Sequence, residues 1–400
     1  MHRFCAPRAS LCLSITHGSK DALGGRQPRE NRKHPGYYCM SWQHVSLDFR
    51  GVNWISHYTE AVVKLTTANK RLYLSKSVWP TYRYLCTVRP SFLGGEIDLE
   101  RVKRLASWRW KNVDGSFLPR FEPSGFASIV QRYPITIAGD SVAIEFFSAL
   151  GGLLHSELLE PLPSDERFNA SLQQADVLLQ PRAELVLRNG GRVEMFGHKF
   201  PKQHTTDRDL TGRWLSSSAA RGYQILVLLT DSVVACADQD SKEQQLRFEK
   251  QFTASLARNF WGRLVVWIST HVGHSRCEVY TRPLTEPNAT GCSSKHRWCE
   301  PIMRDYRRYC WGEIPAFDAR MVHLLRSAFG PRFLHVDARH ASVLRADAHA
   351  VRLPKTIDQQ QEHKFDCLHW CLPGGPIETW ADMLYSTLAQ KFSHSTGLVH

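Results

Sequence analysis

The stretch that decides the fold is Ile135-Thr136-Ile137-Ala138-Gly139-Asp140-Ser141, and the apolar run Val142 to Leu154 follows it directly. Its first four residues predict a buried strand, and the run after Ser141 predicts a helix with apolar residues on nearly every face. A serine at such a strand-to-helix turn lies at the carboxyl end of the strand, where ligands bind in open α/β sheets. Ser141 is therefore the candidate nucleophile.

Further apolar runs extend this pattern along the chain. Gln224 to Leu229 and Leu264 to Ile268 are continuous apolar segments, which is typical of central parallel strands. Between them, Ser241 to Phe260 predicts a helix whose phenylalanines and leucine recur at a spacing of four. A hairpin or two short strands are expected around Asn189-Gly190-Gly191. Alternating strands and helices predict a three-layer α/β/α sandwich with a mainly parallel central sheet.

A second polar group near the C-terminus complements Ser141. The chain reads Asp366-Cys367-Leu368-His369-Trp370-Cys371-Leu372-Pro373-Gly374-Gly375-Pro376. A serine nucleophile needs a base that takes its proton and a group that orients the base, and His369 and Asp366 are the candidates. The alternative is structural: Asp140 or Ser141 caps the helix, and His369 is a buried core histidine.

Four sequence blocks together resemble one known family. Gly139-Asp140-Ser141 combined with the C-terminal string is similar to the trichome-birefringence-like proteins of the PC-esterase group, which are polysaccharide O-acetyltransferases with an SGNH (GDSL-type) hydrolase fold. Trp108-Arg109-Trp110 resembles the family's Trp-Arg-Trp block, and Arg345-Ala346-Asp347-Ala348-His349 resembles its Arg-x-Asp-x-His segment. The resemblance spans about residues 84 to 390.

The resemblance implies a chemistry and a set of site residues. Ser141 would form an acyl intermediate with Asp366 and His369 as its partners, and a polysaccharide hydroxyl would accept the acyl group. The acyl donor would be acetyl-CoA or another acetyl ester; no metal or other cofactor is expected. The candidate substrate-binding residues are Trp110, His274, Arg345, Asp347 and His349. Trp110 is equally well explained as a core residue, and the last three as an ion-paired loop that shapes the site.

The chain departs from the family at two positions. Leu229 stands where relatives have an asparagine that donates to the oxyanion, and Ile268 stands where they commonly have arginine. The Ser141 backbone N–H remains as a donor, with Thr230 or Ser232 as a substitute for the asparagine. Loss of one such donor costs about a hundredfold to a thousandfold in rate. A carbohydrate acetylesterase and a non-catalytic glycan-binding relative therefore stay as alternatives to the transferase.

Composition and charge limit the kinds of partner that the protein is expected to bind. With 51 basic and 38 acidic residues in 400, the chain carries a formal charge of +13, which favours anionic partners such as acidic polysaccharide, a membrane surface or nucleic acid. The basic residues are scattered and no nucleic-acid motif accompanies them, so specific nucleic-acid binding is not expected. Eleven cysteines predict disulfides formed in an oxidising compartment, in preference to a zinc site.

Three regions are expected along the chain. Residues 1 to 35 are basic and predicted to be disordered, residues 36 to 83 have no assignment, and residues 84 to 395 form the catalytic domain. Family members usually carry an N-terminal anchor facing the Golgi lumen, so the resemblance implies the secretory pathway. The sequence contains no signal peptide and no run of eighteen apolar residues, which favours an incomplete or misassigned N-terminus.

Overall fold

The structure, a computed structural model, describes residues 11–13, 38–44, 101, 104–105, 107–111, 116–159, 182–197, 222–230, 242–269, 272–274, 277–284, 311–351, 365–372 and 374–396. Its strands are β1 (Leu11–Leu13), β2 (Tyr38–His44), β3 (Trp108–Lys111), β4 (Ile135–Gly139), β5 (Arg182–Val186), β6 (Arg192–Gly197), β7 (Ile225–Leu228), β8 (Leu264–Ile268), β9 (Phe333–Val336), β10 (His349–Val351) and β11 (Phe365–Trp370). Its α-helices are α1 (Pro123–Arg132), α2 (Ser141–Leu153), α3 (Lys242–Asn259), α4 (Ile314–Phe329), α5 (Arg339–Val343) and α6 (Pro376–Thr396). Short 3₁₀ helices cover His155–Glu157, Cys277–Val279, Gly330–Arg332 and Ala346–Ala348.

Six strands form the central sheet in the order β5-β6-β4-β7-β8-β9. Only β5, which pairs with β6 around the Asn189-Gly190-Gly191 turn, is antiparallel to its neighbour. The other four pairings are parallel, as the apolar runs of β4, β7 and β8 predict. The predicted mainly parallel sheet is confirmed.

Helices cover both faces of this sheet. Helices α1, α2 and α6 pack on one face, against Ile225 and Val227 of β7. Helices α3 and α4 pack on the other face, against Leu226 and Leu228 of the same strand. Successive side chains of a strand point to opposite faces, so a strand covered on both sides has to be apolar throughout. The fold is thus the predicted α/β/α sandwich.

The backbone of the turn from β4 into α2 lies very close to the end of β7. The carboxylate of Asp140 accepts a hydrogen bond from the Val142 N–H at 3.1 Å and caps the helix, so the helix begins at Ser141. A Cβ atom at Gly139 would collide with the backbone carbonyl of Leu229, at the end of the neighbouring strand. Glycine at this position therefore allows β7 to end directly beside the turn that carries Ser141.

Two smaller sheets accompany the central one. Strands β10 and β11 pair antiparallel, and β3, which contains the Trp-Arg-Trp block, pairs with β2, which in turn pairs with β1. Strand β1 lies in the segment predicted to be disordered, while the rest of that segment lies outside the described residues. The domain boundaries derived from the sequence stay predictions. None of the helices that the structure describes has the length and apolar character needed to cross a bilayer.

Candidate active site

Ser141 is the first residue of α2, at the carboxyl end of β4. The first N–H groups of a helix have no partner inside the helix and carry the positive end of its dipole. Negative charge that develops near Ser141 is therefore favoured by the local backbone. Strand β7 ends at the same edge of the sheet and is followed there by Leu229 and Thr230.

His369 faces Ser141 across 228 positions of sequence. The His369 Nε2 atom lies 2.8 Å from the Ser141 Oγ atom, within hydrogen-bond distance. Both side chains are only partly buried, so a reagent or substrate can approach the pair from solvent. The two residues predicted as nucleophile and base are thus adjacent, in the geometry that proton transfer from the hydroxyl requires.

The third predicted residue, Asp366, lies three positions before His369 on β11. The pairing of β10 with β11 shifts between His349 and Ala350: one step on β10, from Ala350 to His349, is matched by four steps on β11, from Asp366 to Trp370. The residues of β11 between Asp366 and Trp370 therefore form a bulge. A bulge changes the direction of side chains that a regular strand would point alternately to its two faces. The Asp366 side chain lies outside the described residues, so its orienting role stays a prediction.

A buried carboxylate connects the two halves of the site. Glu145, one helical turn after Ser141, is fully buried, and its Oε1 atom accepts a hydrogen bond from the Trp370 N–H at 3.2 Å. The bond joins α2 to the residue that follows His369 and so fixes the distance between nucleophile and base. Glu145 was not among the site residues predicted from the sequence, although an acidic side chain in an otherwise apolar helix was a usable signal.

A disulfide holds the same segment from the other side. Cys367, two residues before His369, is bonded to Cys277 with Cα atoms 5.4 Å apart. The Cys367 carbonyl also accepts the His274 backbone N–H at 2.9 Å. Cys371 is disulfide-bonded as well. The expectation of disulfides is confirmed, and two of them flank His369 closely in sequence.

The predicted oxyanion donors lie at the ends of β4 and β7. The Leu229 side chain packs in the apolar core under α2, and its backbone N–H donates to the Ala138 carbonyl at 3.0 Å. Thr230 follows it and is buried. Ser232 lies outside the described residues. The donor role of Thr230 stays a prediction, as does that of the Ser141 N–H.

The five predicted substrate-binding residues are enclosed by protein. Their exposed fractions are 2% for Trp110, 7% for His274, 1% for Arg345, 3% for Asp347 and none for His349. Groups this deeply buried are poorly placed to contact a polysaccharide chain. Contact with substrate stays a prediction for them, and the burial favours a role in positioning other groups.

Arg345 and Asp347 form a buried ion pair. Arg345 donates from Nε to Asp347 Oδ1 at 2.9 Å and from Nη2 to Oδ2 at 3.3 Å. The guanidinium also donates to the carbonyls of Leu105 and Gly374, at 3.2 and 3.1 Å. It therefore joins the segment before β3 to Gly374, which follows β11.

His274 and His349 are in direct contact. Their Nδ1 and Nε2 atoms, respectively, lie 2.7 Å apart. Burial lowers the pKa of His274 to about 4, while its contact with the Val343 carbonyl and the charge of Asp347 act in the opposite direction. The His274 ring is thus neutral at physiological pH.

A cavity of about 100 Å³ lies beside the Trp-Arg-Trp block and α6. Two carboxyl groups line it, and burial raises the pKa of Glu378 to about 8 and that of Asp382 to about 7. Leu153 also lines the cavity. Leu153 is twelve residues beyond Ser141 on α2, so a rise of about 1.5 Å per residue places this lining residue roughly 18 Å from the nucleophile along the helix.

A second serine, histidine and aspartate group lies at the ends of β8 and β9. The Ser269 Oγ atom is 2.9 Å from His335 Nε2 and 3.3 Å from Asp337 Oδ1. Ser269 is only 4% exposed, so reagents have much less access to it than to Ser141. It serves below as an internal control.

The sandwich fold, together with a serine at the first strand-to-helix turn and a histidine from the C-terminal part, defines an SGNH-like architecture. Comparison with known proteins agrees: residues 229–387 match the PC-esterase family, described as a GDSL/SGNH-like acyl-esterase family found in Pmr5 and Cas1p. That match includes His369 and begins beyond Ser141. The family resemblance predicted from the sequence is confirmed.

Individual relatives point the same way. The chain is 23% identical over 385 residues to protein trichome birefringence-like 40 of Arabidopsis thaliana, covering 88% of this chain and 94% of the relative. It is 24% identical over 337 residues to xylan O-acetyltransferase 14 of Oryza sativa subsp. japonica, covering 73% and 69%. A stretch of 127 residues is 32% identical to xylan O-acetyltransferase 6 of the same species, covering 29% and 19%.

Proposed function

We propose that this protein is a serine-dependent O-acyltransferase that acetylates hydroxyl groups of a polysaccharide through an acyl-Ser141 intermediate. The observation that carries the proposal is the 2.8 Å contact between His369 Nε2 and Ser141 Oγ at the amino terminus of α2. The names of the relatives, among them xylan O-acetyltransferases, support the acetyl group and the polysaccharide acceptor.

The geometry suits a two-step reaction. In the first step, His369 takes the hydroxyl proton while Oγ bonds to the acyl carbon, and the donor's leaving group departs with that proton. In the second step, an acceptor hydroxyl gives its proton to His369 and attacks the acyl carbon; the bond to Oγ breaks, and Oγ takes that proton from His369. The Ser141 N–H and Thr230 would stabilise the oxyanion, and Asp366 would hold the histidine ring.

The proposal also includes an acyl donor, an acceptor and a cellular location. The donor would be acetyl-CoA or another acetyl ester, with no metal or further cofactor needed. The acceptor would be a cell-wall or secreted polysaccharide or an oligosaccharide derived from it, and the formal charge of +13 suits an acidic chain. Acetylation of such polymers and the disulfides on either side of His369 are both consistent with the secretory pathway and the Golgi lumen.

Two alternatives use the same fold. If water replaces the acceptor hydroxyl, the protein is a carbohydrate acetylesterase; nothing in the contact between Ser141 and His369 prefers one acceptor. The second alternative is a glycan-binding relative without catalysis. It is favoured by Leu229, whose side chain packs in the core and cannot donate to an oxyanion.

Covalent labelling tests the proposal. Purified, disulfide-intact protein would be treated with a fluorophosphonate, and the modified residue mapped by mass spectrometry. We expect labelling at Ser141 that is lost in Ser141→Ala and in His369→Ala, and retained in the matched control Ser269→Ala. Folded protein that takes up no label, or takes it up at Ser269 instead, would contradict the proposed mechanism and leave glycan binding as the activity to assay.

Acetyl transfer separates the two enzymatic alternatives. The protein would be incubated with labelled acetyl-CoA or an acetyl ester, with and without xylan oligosaccharide. A transferase produces acetylated oligosaccharide faster than free acetate, and the product is absent with Ser141→Ala. Free acetate alone, at a rate unaffected by the oligosaccharide, would identify an esterase.

A further inference from the structure

Three contacts in a row run through the buried histidine pair. His274 Nε2 lies 2.8 Å from the Val343 carbonyl oxygen, and His274 Nδ1 lies 2.7 Å from His349 Nε2. His349 Nδ1 then lies 2.9 Å from the backbone carbonyl oxygen of His369. The row therefore ends on the residue predicted to act as the catalytic base.

Counting protons gives the charge of this pair. A carbonyl oxygen only accepts, so the two outer nitrogens must both carry hydrogen. The contact between the rings needs one further proton, which either inner nitrogen can hold. Three hydrogen bonds thus require three protons, whereas two neutral imidazoles carry only two. The pair makes all its hydrogen bonds only when it holds one positive charge.

The surroundings indicate which ring is charged. Burial lowers the pKa of His274 to about 4, but His349 is buried at least as deeply, so burial does not choose between the two rings. Their contacts with Trp370 differ: the His274 ring meets Trp370 edge-on at 5.7 Å between centroids, whereas His349 lies flat against it. With the charge on His349, His274 donates from Nε2 and accepts at Nδ1, and His349 donates from both nitrogens. The His349 ring stacks on Trp370, with centroids 4.1 Å apart and planes at 20°, and an aromatic face stabilises a cation.

Other charged groups lie on the elements around the pair. Asp347 acts on His274 and is itself paired with Arg345 in the 3₁₀ turn before β10. Arg101 donates to the His349 carbonyl at 2.8 Å. On α2, Glu145 accepts the Trp370 N–H, and the His369 ring faces Ser141. The charged groups on the elements around the pair thus include two buried carboxyl groups, those of Asp347 and Glu145, and two arginines.

We propose that His349 is an imidazolium ion in the folded protein and that its Nδ1–H bond to the His369 carbonyl positions the base against Ser141. His349 is then a positioning residue, buried and without contact to substrate. The single charge of the pair follows from the hydrogen-bond geometry, and its assignment to His349 follows from the stack on Trp370. The effect on the base rests on the function proposed above. The two parts are therefore tested separately.

The protonation state is measured directly by nitrogen-15 NMR of the full chain labelled at histidine. At pH 7.5 a histidine with an ordinary pKa of about 6.5 is about nine-tenths neutral. We expect His349 to show two protonated ring nitrogens at this pH and His274 to show hydrogen on Nε2 only; His274→Gln and His349→Asn assign the signals. A singly protonated His349 at pH 7.5 would overturn the proposal.

A matched pair of variants tests positioning. The side-chain amide of Asn places its nitrogen near the position of Nδ1, so His349→Asn keeps a donor toward the His369 carbonyl. The amide of Gln reaches the position of Nε2, so His349→Gln keeps a donor toward His274 only. We expect fluorophosphonate labelling of Ser141 to slow in both variants, by about tenfold to a hundredfold in His349→Gln and by clearly less in His349→Asn, because small displacements of a catalytic group are costly.

The outcomes separate this inference from the proposed function. Equal labelling rates in the two variants, with equal losses of stability, would refute positioning. If the unchanged protein takes no label at Ser141, the proposed function fails, and the His369 ring signals become the second readout. Those signals should then shift further in His349→Gln than in His349→Asn; the reverse order would refute the inference.

Discussion

Replacing Asp347 with asparagine isolates the charge of a buried ion pair. The side chains of Arg345 and Asp347 are 1% and 0% exposed, and the guanidinium makes two contacts to the carboxylate. Asp347→Asn keeps the shape of the side chain and one acceptor oxygen but removes its negative charge. The guanidinium keeps its bonds to the Leu105 and Gly374 carbonyls, which are neutral acceptors.

The size of the effect follows from this burial. Removing one partner of a buried ion pair leaves an uncompensated charge and costs about 3–5 kcal/mol. A typical domain has about 5–15 kcal/mol of stability in total, so the variant should be strongly destabilised and still fold. Glu378 interacts with Arg345 and has its pKa raised to about 8 by burial. It is mostly neutral at pH 7 and ionised at pH 9, where it offers a replacement countercharge, so the loss should be smaller at pH 9.

Urea unfolding with intact disulfides, at pH 7 and pH 9, measures the loss in free energy of unfolding. The control is the double variant Arg345→Met with Asp347→Leu, which removes both charges and should lose less than Asp347→Asn alone. A loss below about 1 kcal/mol for Asp347→Asn, or a double variant that is less stable than the single one, would refute the reasoning.

Three further predictions concern the Cys277–Cys367 disulfide, Glu145 and Glu378. Replacing Cys277 and Cys367 by serine removes the disulfide beside His369, so fluorophosphonate labelling of Ser141 should slow, and an unchanged rate would show that the bond does not position the base. Glu145→Ala should also slow labelling because the Trp370 N–H loses its acceptor, whereas Glu145→Gln, which keeps an acceptor oxygen, should stay close to the unchanged protein; equal rates would argue against this bond. In the folded protein the pKa of Glu378 is about 8, above its ordinary value of 4.5. Between pH 4.5 and pH 8 the folded protein therefore binds one more proton than the unfolded chain, so the free energy of unfolding falls as the pH rises through this range. Glu378→Gln should therefore stabilise the protein at pH 8 and leave it unchanged at pH 4.5, as chemical unfolding at both pH values would report.

The central strands were predictable because one physical cause controls their sequence. Strands β4, β7 and β8 are covered on both faces, so each is a continuous apolar run, and α3 shows its apolar stripe at a spacing of four. The sequence analysis did not assign β9 and α4. Strand β9 lies at the edge of the sheet, and His335 in the middle of its four residues interrupts the apolar pattern.

The site was predictable only in part. Ser141 and His369 carry local signals, a strand-to-helix turn and a recognisable string of residues. The contact between His274 and His349 joins positions 75 residues apart, and no local pattern encodes such a contact. The ion pair of Arg345 and Asp347 was one of the interpretations derived from the sequence, and the structure contains it. Its burial was not predicted, because two charged residues at a spacing of two are equally compatible with an exposed loop.

The distance along the chain between Ser141 and His369 has a consequence for biosynthesis. The β4 turn leaves the ribosome 228 residues before the histidine, which at about 5–20 residues per second corresponds to roughly 10–50 seconds. Throughout that interval the nascent sheet can assemble around β4 and β7 while the nucleophile still lacks its base. The Cys277 thiol also has no disulfide partner until Cys367 has been synthesised, so an oxidant can join it to another cysteine first. Competence for acyl chemistry is therefore acquired only after β11 has been made, when this strand and α6 complete the core.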